Sequence, residues 1–243
     1  MKRWLPVLLL FAGNALSEGK TETREMVGQI GSRDAYLVLH ATQNADGGWH
    51  MTGEYLLLPN LQRRFLDGER SPQLGVATFR EGTSAILFGR PATGELRGTL
   101  RDGQFRGTRY GPGGQERERF EFTEEFPAMD GYAAHVRCEA GDARYASTLQ
   151  YTVEAGKLKA PLEWRSRVGA AGHSCVIRAG EQKHFRGGLA FAHGDCTVTL
   201  RELGEHVKVS ASNCASACAS EAYLEPLLVD RRGRCRLLRP EPR

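Results

Sequence analysis

Residues 95–110 read ELRGTLRDGQFRGTRY. Two alternating runs flank Asp102-Gly103, a pair that accepts the positive φ angles of a tight two-residue hairpin turn. Alternation with period two places successive side chains on opposite faces of a strand. A segment of this kind folds back on itself as a hairpin. The pattern recurs along the chain. AYLVLHAT (35–42) and WHMTGEYLLL (49–58) flank Asp46-Gly47-Gly48, and LGVATFR (74–80) and SAILFGR (84–90) flank Glu81-Gly82-Thr83. RERFEFTEE (117–125) alternates again, as do YASTLQYTV, SCVIRA, CTVTLREL and HVKVSAS further on, and AYLEPLLVD completes the series. No stretch sustains a helical period. LPNLQRRFLDGERS (58–71) admits a single helical turn or a long loop. The expectation is an all-β chain of antiparallel meander, sandwich or barrel-like units.

The compartment decides how the cysteines are read. MKRWLPVLLLFAGNALS begins with Lys2 and Arg3, continues with a short apolar run, and ends with small residues at Ala15 and Ser17. This is the layout of a secretory signal peptide, residues 1–17, with cleavage after Ser17. The run is about half of the roughly 20 apolar residues a spanning helix needs. No second run of that length follows, so no transmembrane segment is expected in the mature chain. Periplasmic or secreted localisation puts Cys138, Cys175, Cys196, Cys214, Cys218 and Cys235 where thiols pair. CTVTLREL and HVKVSASNC read as a hairpin turning at Gly204, which brings Cys196 to Cys214 at its open end. That leaves Cys218–Cys235 and Cys138–Cys175. A small loop closed by Cys214–Cys218 is the competing arrangement. A zinc site normally needs two close pairs of ligands, and here there is one, so no metal or other cofactor is expected.

All six cysteines fall from Cys138 onward. EFPAMDGYAAH (125–135) carries Pro127, Asp130 and Gly131 and reads as a linker. The expected division is a cysteine-free β domain at 18–130 and a disulfide-stapled β domain at 131–243. Their net charges, −3 and +5, are too modest for a nucleic-acid binder. The one dense basic cluster, Arg231 to Arg239, reads as a solvated C-terminal strand or as a contact for an acidic partner.

Catalytic motifs are absent from the sequence. There is no G-x-S-x-G, Walker A, G-x-G-x-x-G or H-E-x-x-H. Glu116, Glu118, Glu121, Glu124 and Glu125 crowd one alternating region, and paired carboxylates can cleave glycosides. Cross-strand ion pairs with Arg106 or Arg109 account for them more simply. His193 near Asp195, and Glu205 beside His206, read as turn residues rather than acid–base sets.

VRCEAGDARYAST (136–148) resembles the lysozyme-contacting loop of periplasmic C-type lysozyme inhibitors, which are small disulfide-bonded β-barrels. The family loop S-G-x-x-Y corresponds to Gly141-Asp142-Ala143-Arg144-Tyr145. Tyr145 matches, whereas Gly-Asp replaces Ser-Gly and removes the hydroxyl. As a whole the chain resembles exported bacterial proteins. The resemblance implies a partner-binding role for Arg144 and Tyr145. The basic cluster adds Arg231, Arg232 and Arg234 as candidate partner contacts. The resulting expectation is a binding or inhibitor-type protein that recognises a protein or an envelope polymer without catalysis. The alternatives are an envelope hydrolase using carboxylates and a structural envelope component.

Overall fold

The computed structural model describes residues 20–58, 60–71, 74–84, 91–115, 117–169, 172–219 and 222–238. The segment expected to be a signal peptide, with the cleavage expected after Ser17, lies outside them, as do Glu116 and Arg239. The architecture is all-β, and among the described residues only two single helical turns occur, at Pro112–Gly114 and Ala215–Ala217. No helix there is long and apolar enough to cross a membrane.

The first part is a closed antiparallel barrel. Its strands are β1 (Thr21–Ile30), β2 (Arg33–Gln43), β3 (Trp49–Leu57), β4 (Gln62–Arg70), β5 (Val76–Gly82), β6 (Gly94–Arg101), β7 (Gln104–Tyr110) and β8 (Arg117–Thr123). Each pairs with its sequence neighbour, and β8 closes on β1 through Val27–Ile30 against Phe120–Thr123. Eight strands leave an interior just wide enough for side chains to fill. Leu37, Leu39, Met51, Leu66, Phe79, Leu96, Leu100, Phe105 and Phe122 fill it. Phe105 packs edge-on to Phe79 at 5.5 Å and lies 4.5 Å from Phe120.

Such tight closure needs inward glycines. A Cβ on Gly28 would stand 1.9 Å from the Glu121 carbonyl oxygen, and one on Gly107 would stand 2.0 Å from that of Arg97. Only glycine lets neighbouring strands bend this closely over one another. The hairpin at Asp102-Gly103 forms as its sequence dictates, with φ of 50° and 72°.

Two expectations need correction. Residues 62–70 are strand β4, neither helical turn nor loop, because Leu66 sits on the inward face of a run paired on both sides. Glu81-Gly82 is not a turn. It ends β5, with Glu81 opposite Leu66 on one side and Gly94 on the other. Most of the expected SAILFGR arm, residues 85–90, lies outside the described residues.

The second part is a sandwich. One sheet holds β9 (Ala134–Gly141), β10 (Tyr145–Glu154), β11 (Lys157–Leu158), β12 (Leu162–Val168) and β13 (His173–Ala179), running β9-β10-β12-β13 with β11 beside β10. The other holds β14 (Glu181–Lys183), β15 (Leu189–His193), β16 (Cys196–Leu203), β17 (His206–Ser212), β18 (Leu227–Asp230) and β19 (Cys235–Leu237) in chain order. Leu149, Tyr151, Trp164 and Ile177 of the first sheet bury against Phe191, Val198, Leu200 and Val209 of the second. The Trp164 indole donates to Ser147 Oγ at 2.8 Å, which satisfies the one polar atom of that ring.

The bridges are Cys196–Cys214, Cys138–Cys235 and Cys175–Cys218. The first closes the open end of the β16–β17 hairpin as expected. The expected Cys138–Cys175 and Cys218–Cys235 pairs are replaced. Cys138 on β9 and Cys175 on β13 lie three strand spacings apart, about 14 Å. A disulfide needs Cα atoms within about 7 Å. Cys138 instead meets Cys235 on β19, joining the edges of the two sheets at a Cα separation of 5.6 Å. Cys175 meets Cys218, which returns beside β13 after the Ala215–Ala217 turn.

Barrel and sandwich meet over Tyr36, Leu56 and Leu58 on one side and Leu203 and Leu228 on the other, with Phe126 of the connecting segment between them. The Arg201 guanidinium stacks on Phe126 at 4.4 Å and on Phe185 at 4.9 Å. Glu25 accepts from Arg201 at 2.7 Å and from the buried Lys208 at 3.0 Å, and Lys208 Nζ also donates to the Tyr36 hydroxyl. Burial pushes the Lys208 amine below the usual lysine range despite Glu25 beside it.

Candidate functional site

The barrel interior changes character at one end. Residues directly opposite one another in adjacent strands share a face. Arg64 stands opposite Tyr55, Glu81 opposite Leu66, Arg109 opposite Leu96 and Glu118, and Arg33 opposite Ile30. These charged residues therefore occupy the same inward parity as the apolar core. They form its last layer, at the end where β1–β2, β3–β4, β5–β6 and β7–β8 connect.

Glu81 is the centre of this layer and is fully buried. Its Oε2 accepts from the Tyr55 hydroxyl and from Arg109 Nε, both at 2.7 Å. Its Oε1 accepts from Arg109 Nη2 at 2.9 Å and Thr93 Oγ1 at 3.2 Å, with Arg64 Nε also 3.2 Å away. Burial alone would raise the Glu81 pKa. Hydrogen bonds from Arg109 and Tyr55, and the charges of Arg109 and Arg64, outweigh it and hold the carboxyl below its ordinary range. Arg109 Nη1 continues to Glu118 Oε2 at 2.9 Å, and the other Glu118 oxygen takes Arg33 Nη2 at 2.9 Å. Burial, and then the Glu81 charge, push the Tyr55 phenol far above its usual range, so Tyr55 acts as a neutral donor.

Above this floor opens a cavity of about 520 Å³ lined by Arg33, Tyr55, Leu57, Gln62, Arg64, Arg109, Arg117 and Glu118. Arg117 is exposed at the rim, 5.6 Å over the Tyr110 ring, and also borders a smaller cavity of about 360 Å³ beside the Gly111–Gly114 turn. Among the described residues no carboxylate pairs with Arg117.

The residues singled out from sequence lie elsewhere. Arg144 is exposed in the β9–β10 turn, where the amides of residues 144 and 145 donate to Asp142 Oδ1 at 2.7 and 3.0 Å. Tyr145 is not a surface residue. It begins the inward series Tyr145, Ser147, Leu149, Tyr151, Val153 and is only 1% exposed. Its ring stacks on Tyr223 at 5.6 Å, and its hydroxyl accepts the Glu225 amide at 2.9 Å. The lysozyme-contacting role that the loop resemblance implies needs a free tyrosine, and this one secures the 223–225 segment instead.

Arg231, Arg232 and Arg234 are exposed around the β18–β19 turn. Arg231 lies 3.6 Å from Glu205, and Arg234 is paired with Asp230 at 2.7 Å. Gly233 of this turn approaches the start of β9, whereas Arg144 follows its end. The length of β9, about 23 Å, separates the two groups, so they do not form one patch.

Arg106 pairs with Glu121 at 2.7 Å and Arg109 with Glu118 at 2.9 Å, the cross-strand pairs expected from sequence. Sequence reasoning missed Tyr55, Arg64, Glu81 and Arg33. The available signal was parity: in TFREG and QFRGTRY a charge falls on the same face as a preceding phenylalanine, Glu81 one inward position after Phe79 and Arg109 two after Phe105, past Gly107. The chain matches no protein-family model, no curated protein and no solved structure.

Proposed function

We propose that this is an exported binding protein that acts without catalysis and recognises its partner, a protein or an envelope polymer, through the mouth of the barrel. The observation that carries this reading is the charged inward layer, which gives an otherwise solid barrel a concave polar end with a rigid floor. Every side chain of that floor is held by at least one partner, so the recess is preorganised, and preorganisation lowers the entropy lost on binding. The hydrolase alternative has less support. General-acid cleavage needs a carboxylic acid of raised pKa. In the mouth, Glu81 is held ionised and Arg109 is inserted between it and Glu118.

The test compares baits. Oxidised mature protein, an Arg117→Glu variant and an Arg232→Glu variant are used to capture partners from envelope extract. A partner lost by Arg117→Glu and kept by Arg232→Glu supports recognition at the mouth. The reverse pattern transfers recognition to the β18–β19 turn and ends this reading.

A further inference from the structure

Three guanidiniums of the inward layer, those of Arg33, Arg64 and Arg109, face the recess or its floor, and Arg117, which leaves β8 on the Tyr110 side, borders it at the rim, against two carboxylates, Glu81 and Glu118. The fixed charge there is therefore +2, concentrated in a concavity whose walls exclude water on the barrel side. Such geometry focuses the field on whatever enters.

The four arginines are not equivalent. Arg109 is consumed: Nε, Nη1 and Nη2 all bond to Glu81 or Glu118. Arg33 shares Glu118 with it. Arg64 gives Nε to Glu81 and Nη1 to the Arg63 carbonyl, and among the described residues its Nη2 has no partner. Among the described residues Arg117 is steadied by the Tyr110 ring alone. Its neighbour on that ring, Arg97, is already neutralised by Glu95, with a second contact at 2.8 Å. Two arginines whose guanidiniums keep donors unused among the described residues thus border one cavity, beside a carboxylate network that needs neither of those donors. Planar N–H forks of this kind match the oxygens of carboxylates and phosphates.

We propose that the barrel mouth is an oxyanion site: it takes a doubly charged phosphate or dicarboxylate group carried by the partner, seated between Arg64 and Arg117. This rests on the mouth being the recognition end. The recess is large enough for the group together with the first atoms of its carrier, and too small for a folded element.

The probes are inorganic phosphate and succinate, titrated calorimetrically into the full-length oxidised protein against sodium chloride of equal ionic strength. The expected result is saturable one-site binding that weakens about tenfold or more in Arg117→Gln and in Arg64→Gln, the loss of one charge-assisted bond. Arg117 is exposed, so Arg117→Gln decides the matter even if Arg64→Gln loses stability. Binding of phosphate alone assigns the group as phosphoryl, and binding of succinate alone assigns it as carboxylate. No heat beyond the chloride control, or affinity unchanged in Arg117→Gln, overturns the proposal. A partner captured through Arg117 that neither anion displaces overturns it too, while leaving the mouth as the recognition end. Anion binding without any Arg117-dependent capture does the opposite.

Discussion

Replacing Glu81 by Gln tests whether the charged layer is an integrated part of the barrel. The substitution keeps shape and one acceptor oxygen but removes the charge facing Arg109 and Arg64. Removing one member of a buried ion pair costs about 3–5 kcal/mol, because the charge left behind has already lost its water. Here Arg109 retains Glu118, and Arg64 borders the open recess, so the low end applies, about 3 kcal/mol. In a chain of this size that lowers Tm by about 6–12 °C. Trp49 packs against the barrel core and Trp164 lies in the sandwich, so urea unfolding followed by fluorescence, repeated in a Trp49→Phe background, separates the two parts. The pH dependence has a definite sign. The folded Glu81 pKa is held below its unfolded value of about 4.5, so below that pH the unfolded chain binds more protons than the native one. The stabilisation is complete above pH 4.5 and is lost as pH falls through the folded value. The variant should therefore show a shallower acid limb. A loss below about 1 kcal/mol, or an acid limb identical to that of the parent, would mean that water reaches Glu81 and that the layer is not a buried network.

Two further predictions follow from the fold. Gly28→Ala should abolish the folded barrel, seen as loss of the near-ultraviolet circular dichroism signal. Gly131→Ala, where a Cβ meets nothing within 4 Å, should be silent, and a folded Gly28→Ala barrel would refute the closure argument. Among the bridges, Cys138–Cys235 closes the longest loop, 97 residues, and Cys196–Cys214 the shortest, 18. Loop entropy makes the first worth about 1.5 kcal/mol more than the second. Paired Cys→Ala variants compared by urea midpoint measure that difference, and equal losses would discard the entropic account.

Local chemistry made the all-β class legible, because period-two alternation and glycine turns are properties of neighbouring residues. Asp102-Gly103 could hardly do other than turn. Cys196 and Cys214 could be paired because the hairpin that joins them is itself local. Glu81-Gly82 misled for the same reason: the dipeptide has turn chemistry, yet the strands on both sides extend β5 through it and recruit the carboxylate.

What the sequence by itself determined is therefore the strand content, several of the hairpins and the bridge that one hairpin enforces. Tertiary structure alone decided the rest. Cys138 found Cys235 and not Cys175 because two strands inserted between β9 and β13. Tyr145 went inside because its strand gained a second sheet to face. Arg33, Tyr55, Arg64, Glu81 and Arg109, spread over 77 positions, became one network only when the barrel closed. Closure converts inward parity, a property of each strand separately, into a shared layer, and no spacing along the chain encodes which residues will meet there.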